Sequence, residues 1–368
     1  MNLKRMKRVD ITTIARELGV STTTVHRALN NNGRVSETTR QRVLETAQRL
    51  GYRPNQIARG LRSRRTCTLG VIVTGISSTF YAHILDGIES AAREAGYSIL
   101  LGCSHDDPEK ERQQIELLLE KQVDGLILAP AIPSVSASYY SRLVREGVHL
   151  VFVGRHVPGV TADSVETNNV LGGYLVGQHL YHLGRRHIVI VTTVLPKRQY
   201  SYVRDRISGC ENALRDLGGT LPVVVGEDIP DRLPLPLFAY TAIRRYLQEG
   251  GIVDGVFALN DDLAYGVINA LYDAGQQVPD DVSVVGFNDE SMSAYFRPSL
   301  TTVRSAPREV GIEAVRLLLA HVEESDTPTG TKHVLLEPTL VVRDSCGAKR
   351  LNQTPLPHLH SAKEELTP

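Results

Sequence analysis

Residues 11–29 read ITTIARELGVSTTTVHRAL. Ile14, Ala15 and Leu18 fall on one face of a helix, and Gly19-Val20 breaks it. Ser21 can cap a second helix, Thr22–Leu29, whose apolar side is Val25, Ala28 and Leu29. Two short helices joined by a Gly-containing turn have helix-turn-helix form. In such a unit one helix braces across a nucleic-acid backbone while the second offers its N-terminal side chains to base edges in the major groove. Thr22, Thr23, His26 and Arg27 lie off the apolar side and can face a duplex. Arg27 matches the paired acceptors of guanine, and Thr22 and Thr23 offer hydroxyls and methyls. Ser21, Thr24 and His26 suit phosphate, a contact that positions without specifying.

The charge distribution agrees. The 368 residues carry 41 Lys+Arg and 41 Asp+Glu, a formal net charge of zero. Residues 1–65 hold 15 of the basic and 4 of the acidic residues, an excess of +11 that the remainder balances with −11. A basic front on an acidic body implies that the front meets a polyanion and the body does not.

Further along, Ser36 caps a third helix with Val43, Ala47 and Leu50 on one side, and Gly51 stops it. Pro54 and Asn55 then start a short piece, Gln56–Arg62, whose only apolar contacts are Ala58 and Leu61. It is too short to hold as an isolated helix, because nucleation is costly, and it needs a partner to order it. From Leu69 short apolar runs appear: Leu69–Val73, Ser98–Leu101, Gly125–Leu128, Leu150–Val153, Ile188–Val191, Val223–Val225, Gly255–Leu259 and Val282–Gly286. Amphipathic helices separate most of them. Apolar strands alternating with helices mean parallel sheets covered on both faces. Eight strands exceed one compact sheet, so the body is read as two doubly wound lobes. Helix Pro307–Glu323 is expected to cross back to the first of them.

Several function classes drop out. Cys67, Cys103, Cys210 and Cys346 fit neither a zinc site nor a disulfide scaffold. No apolar run approaches the about 18 residues of a membrane span. The basic N-terminus lacks the apolar stretch of a signal peptide, so the expected location is cytoplasmic. There is no P-loop, no nucleophile elbow, no dinucleotide fingerprint and no metal-spaced His pair. His179 and His182 read as a polar helix end. The expectation is therefore no catalytic residue, no metal, no cofactor and no enzyme activity.

The stretch Ile14-Ala15, Gly19-Val20-Ser21, Thr24-Val25, Arg27, Leu29-Asn30, Val35-Ser36, Thr39-Arg40, Val43, Ala47, Leu50-Gly51-Tyr52, Pro54-Asn55, Ala58-Arg59, Leu61 resembles the headpiece of the lactose-repressor (LacI/GalR) family of bacterial regulators. His26 stands where the family usually has Ser. The body is similar to the same family through Phe80-Tyr81, Asp124-Gly125, Arg206, Asn260-Asp261, Gly286-Phe287-Asn288-Asp289 and Leu300-Thr301-Thr302. The resemblance implies a small all-α helix-turn-helix headpiece plus a two-lobed, periplasmic-binding-protein-like α/β core. It implies that Gln56–Arg62 becomes a hinge helix on the operator, where Leu61 wedges into the minor groove and Asn55 and Ala58 lie at the DNA. It also implies a homodimer on double-stranded operator DNA and a small effector between the lobes, touched by Phe80, Tyr81, Arg155, Arg206, Asn260 and Asn288.

The expected divisions are residues 9–55 for the headpiece, 56–66 for the hinge, 67–345 for the core and 346–368 for a disordered tail. Within the core the first lobe takes 67–163 and 297–327, the second 164–296 and 328–345. Asp261 is expected to cap a helix. Gly154, Asn168 and Asn288 stand where family members often carry an acid. With Arg155, His156, Arg206 and His105 nearby, that loss suggests a sugar-like effector that is acidic or phosphorylated.

Overall fold

The computed structural model describes residues 9–29, 33, 35–52, 65–131, 137–193, 200–226, 234–323 and 330–348. The chain divides into two compact units, Met1–Thr66 and Cys67–Pro368.

Among the described residues of the first unit, three helices follow one another: α1 (Ile11–Leu18), α2 (Thr22–Leu29) and α3 (Glu37–Arg49). Asp10 caps α1, its carboxylate accepting from Thr13 N at 2.8 Å. Gly19 ends α1 at φ +66°, a left-handed conformation that costs glycine little. Ile14, Ala15, Val25, Ala28, Val43 and Ala47 form the shared core. Asn55, Ala58, Leu61 and the rest of the expected hinge up to residue 64 lie outside the described residues.

The second unit holds two six-stranded sheets. The first contains β1 (Thr68–Val73), β2 (Ser98–Cys103), β3 (Gly125–Leu128), β4 (Leu150–Val153), β5 (Asp163–Thr167) and β11 (His333–Leu336), in the order β11-β5-β4-β3-β1-β2. All its pairings are parallel. The second contains β6 (Ile188–Val191), β7 (Val223–Val225), β8 (Gly255–Ala258), β9 (Ser283–Asn288), β10 (Thr301–Arg304) and β12 (Thr339–Val341), in the order β12-β10-β9-β8-β6-β7. Only β12 runs antiparallel, against β10. Helices α4 (Thr79–Glu94), α5 (Pro108–Glu120) and α6 (Ala137–Arg145) belong to the first lobe, and α7 (Asn169–His182), α8 (Ser201–Asp216), α9 (Leu235–Gln248) and α10 (Asp261–Asp273) to the second.

The lobe boundaries differ from those expected. Strand β5 belongs to the first sheet, so the first crossing follows Thr167 rather than residue 163. Strand β10 stays in the second sheet, so the return crossing follows Arg304 rather than residue 296. Strand β11 lies in the first sheet and only β12 in the second, which moves the last crossing from 327 to the segment between Leu336 and Thr339. The missed strand β5 has no apolar run. It buries Asp163, Ser164, Glu166 and Thr167 instead. Each finds a partner: His321 at 2.9 Å, His333 at 2.9 Å, His156 at 2.6 Å and the Ser305 carbonyl at 2.8 Å. A buried polar strand is tolerated when its polar groups are satisfied.

Helix α11 (Pro307–Glu323) packs on α4. A Cβ at Gly87 would sit 2.0 Å from the Arg308 carbonyl oxygen, so the close backbone approach requires glycine there. Cys346, expected to open a disordered tail, is instead buried in the second-lobe core, its carbonyl accepting from Ser283 Oγ at 2.8 Å. Residues 349–368 lie outside the described residues.

Candidate functional site

In the first unit, the exposed residues at the start of α2 are Ser21, Thr22 and Thr23, with Arg27 one turn on. Thr24 and His26 are half-buried. Ser21 Oγ accepts from Thr24 N at 3.0 Å and lies 2.8 Å from Thr24 Oγ1. The Ser21 hydroxyl therefore caps α2, and the Thr24 hydroxyl is tied to it. Thr22, Thr23 and Arg27 stay available to a groove. The Arg27 stem runs beside Gly33, where an added Cβ would lie 3.2 Å from Arg27 Cδ.

In the second unit, the carboxyl ends of the strands carry the remaining site residues. Such ends, where the strand order reverses in a doubly wound sheet, are where ligands bind. On the first-lobe side, Arg155 follows β4 and is only 4 % exposed. Its Nη1 donates to Asp106 at 2.9 Å and its Nη2 to the Tyr81 hydroxyl at 3.1 Å. Burial works against its charge, but Tyr81 and Asp106 outweigh it and hold the protonated form more firmly than usual. Phe80 stands edge-on to Tyr81, with ring centroids 5.3 Å apart. Asp106 was not among the expected site residues. It sits with His105 in consecutive left-handed conformations, φ +55° and +53°, which are costly for residues other than glycine.

On the second-lobe side, Arg206 on α8 is 5 % exposed. Its Nε donates to Asn169 Oδ1 at 2.9 Å and its Nη1 to the Leu259 carbonyl at 2.5 Å. The guanidinium lies 3.5 Å from the Phe287 ring centroid and 5.2 Å from that of Tyr202. Rings thus lie against it and two nitrogens are committed. The open planar fork expected from sequence is therefore reduced to Nη2. Burial with no carboxylate partner among the described residues pulls its pKa down to about 10.

Asn260 caps α10, its Oδ1 accepting from Leu263 N at 2.8 Å. The cap expected of Asp261 therefore belongs to Asn260. Asp261 is wholly buried and accepts from Thr302 Oγ1 at 2.5 Å, Ser293 Oγ at 2.6 Å and Glu290 N at 2.7 Å. Burial pushes its carboxyl up to about 6 against those bonds. Asn288 closes β9 at φ +110°, and its Oδ1 is buried without a hydrogen-bond partner among the described residues. Asn168 caps α7 by accepting from Leu171 N at 3.0 Å. Gly154 has φ +71°, so an acid there would be strained.

The structure thus brings Phe80, Tyr81 and Arg155 together on one side and sets Arg206 and Phe287 on the other. Tyr200 and Tyr202 went unnoticed in the sequence. Their one local signal is spacing, since Tyr202 is four residues before Arg206 on the same helix. Among the described residues, no cluster of His, Cys, Asp and Glu could hold a metal ion, and no helix is long and apolar enough to cross a membrane.

Comparison with known proteins bears on both units. Residues 10–55 match the family described as bacterial regulatory proteins, lacI family, and residues 178–346 match the periplasmic binding protein-like domain. The transcriptional regulator RegA of Clostridium saccharobutylicum is 35 % identical over 339 residues, covering 90 % of this chain and 97 % of that protein. The lac repressor bound to ONPG in its repressed state superposes with a TM-score of 0.79 at 25 % identity, covering 92 % of this chain and 100 % of that one. The regulator CelR in complex with cellobiose superposes with a TM-score of 0.65 at 28 % identity, over 92 % of this chain and 100 % of that one. Headpiece, core and full-length relatives agree: the chain belongs to the LacI family of bacterial regulatory proteins.

Proposed function

We propose that this regulator represses transcription by binding a near-palindromic operator as a homodimer, and that a sugar-like effector in the cleft between its lobes controls that binding. The carrying observation is the start of α2, where Thr22, Thr23 and Arg27 are exposed while Ser21 and Thr24 lock the helix end. A capped, rigid helix presenting a guanidinium and two hydroxyls suits base-edge reading. Two-fold symmetry in the protein would be mirrored in the operator.

The edges of the two sheets support a dimer. Strand β2 ends the first sheet and exposes Leu100 and Leu101, and β7 ends the second and exposes Val223. Exposed apolar sheet edges call for cover, and a second copy supplies it symmetrically. Asp106, Asn288 and Arg206 Nη2 supply acceptors and donors for hydroxyl groups, and Phe80 supplies an apolar ring face. Coupling is reciprocal: if effector weakens operator binding by some factor, operator weakens effector binding by the same factor.

Arg27→Ala tests the reading. It should cost about 1–3 kcal/mol at the preferred operator and relax the base preference at one position. Equal weakening on every sequence in a binding-site selection would reduce Arg27 to a phosphate contact. For the effector, calorimetry with a neutral sugar and its acidic counterpart separates two roles. Tighter binding of the acid makes Arg206 a charge partner; tighter binding of the neutral sugar leaves it a hydrogen-bond donor.

A further inference from the structure

Two arginines face the cleft from opposite lobes, and each lies against a tyrosine from the first turn of α8. Tyr200, almost fully buried, has Arg155 of the first lobe 5.2 Å from its ring centroid. Tyr202 has Arg206 of its own helix 5.2 Å from its ring centroid. The two rings are 5.6 Å apart. Tyr202 also lies close enough to Arg155 and Tyr81 for both to act on its hydroxyl. A continuous row therefore runs Asp106, Arg155, Tyr200, Tyr202, Arg206, Phe287, and it passes from one lobe to the other between Arg155 and Tyr200.

That crossing is not fully satisfied. Arg155 Nε and Ser201 Oγ are both buried without a hydrogen-bond partner among the described residues. Buried polar atoms left without partners mark a contact open to rearrangement, because a competing arrangement that supplies partners is favoured. A guanidinium over an aromatic ring is attractive in itself, and more so out of water.

We propose that Tyr200 and Tyr202 form an aromatic clasp that ties the lobes together through Arg155 and decides which effectors gain entry to the cleft. The assignment rests on the cleft as the effector site. With the clasp closed, Arg155 is held by Asp106, Tyr81 and Tyr200, and Arg206 is covered by Tyr202. An effector reaches either guanidinium only by displacing a ring or by stacking in its place. The two tyrosines thereby determine specificity through access, and they link effector entry to lobe separation.

Hydrogen exchange on the full-length, effector-free protein tests this from both sides. Arg155→Lys keeps a positive charge beside Asp106 but removes the planar group over Tyr200. It should raise exchange about fivefold across residues 200–206 of the opposite lobe. The double substitution Tyr200→Leu with Tyr202→Leu should raise exchange reciprocally at residues 79–85, 104–107 and 154–157 of the first lobe. Tyr200→Phe with Tyr202→Phe keeps the rings and should match the wild type. If faster exchange stays within the lobe that carries the substitution, the tyrosines are packing residues only and the clasp is excluded. Should the leucine variant unfold, the Arg155→Lys result decides by itself. Operator affinity, measured separately, tests the regulatory reading, so failure of either idea is read independently.

Discussion

Arg155, in the loop after β4 of the first lobe, and Arg206, on α8 of the second, are both almost wholly buried. Their surroundings differ in kind. Arg155 has a carboxylate partner in Asp106, and a second acid, Glu111, lies in the wall behind it. Arg206 is held by a neutral amide, a carbonyl and two rings. The difference shows that one residue type serves two purposes. Arg155 is already neutralised and acts as part of the frame. Arg206 has no ion-pair partner among the described residues and feels the buried Asp261 only from further off, which makes its lobe the side where a ligand's acceptors gain most.

The largest expected effect concerns the wall behind Arg155. Burial pushes Glu111 from its ordinary value near 4.5 up to about 7, against hydrogen bonds from Tyr140 and from Ala131 N that pull it down. A carboxyl raised in the folded state stabilises the fold below its unfolded pKa and loses that benefit as pH climbs to the folded one. The wild type should therefore lose about 3 kcal/mol between pH ~4.5 and ~7 through this group. Asp261 and Glu290 are raised in the same direction, so the informative quantity is the difference between wild type and Glu111→Gln in urea unfolding at stepped pH. A constant difference across that window would show that Glu111 is charged throughout.

Asp106→Asn attacks the neutralised arginine directly. Breaking a fully buried ion pair costs about 3–5 kcal/mol. Asp106 is 36 % exposed, so water screens part of that loss and about 1–2 kcal/mol is expected. Arg206→Met, in contrast, removes a buried charge that makes no ion pair among the described residues and that Asp261 favours only from further off. Its unfolding free energy should stay within about 1 kcal/mol of wild type, while the response of operator binding to effector disappears. If Arg206→Met proves the more destabilising of the two, the contrast between the arginines is reversed and Arg206 is the frame.

Arg206, Phe80, Tyr81 and Asn288 entered as candidate site residues through the resemblance of the motifs around them to the LacI/GalR family. Asp106 escaped because His105-Asp106-Asp107 reads as an ordinary acidic helix start, and Asp107 is indeed the cap, accepting from Glu109 N at 2.9 Å. Only the left-handed turn aims Asp106 away from that helix and toward Arg155. Asn260 took the cap expected of Asp261 for a related reason. Either side chain can accept from an amide three residues on, and the backbone angles choose between them.

From the sequence alone came the helix-turn-helix unit with its basic charge, the alternation of apolar strands and helices, and the absence of a membrane-length apolar run. These rest on local periodicity, capping residues and composition, which act within a turn or two of chain. The tertiary structure alone decided that β5, β10 and β11 change the lobe boundaries, that Asp106 pairs with Arg155 while Arg206 has no ion-pair partner among the described residues, and that Arg155 of one lobe lies against Tyr200 of the other. Each depends on which distant groups satisfy a buried polar atom, and hydrogen-bond partners separated by tens to hundreds of residues leave no mark on local pattern.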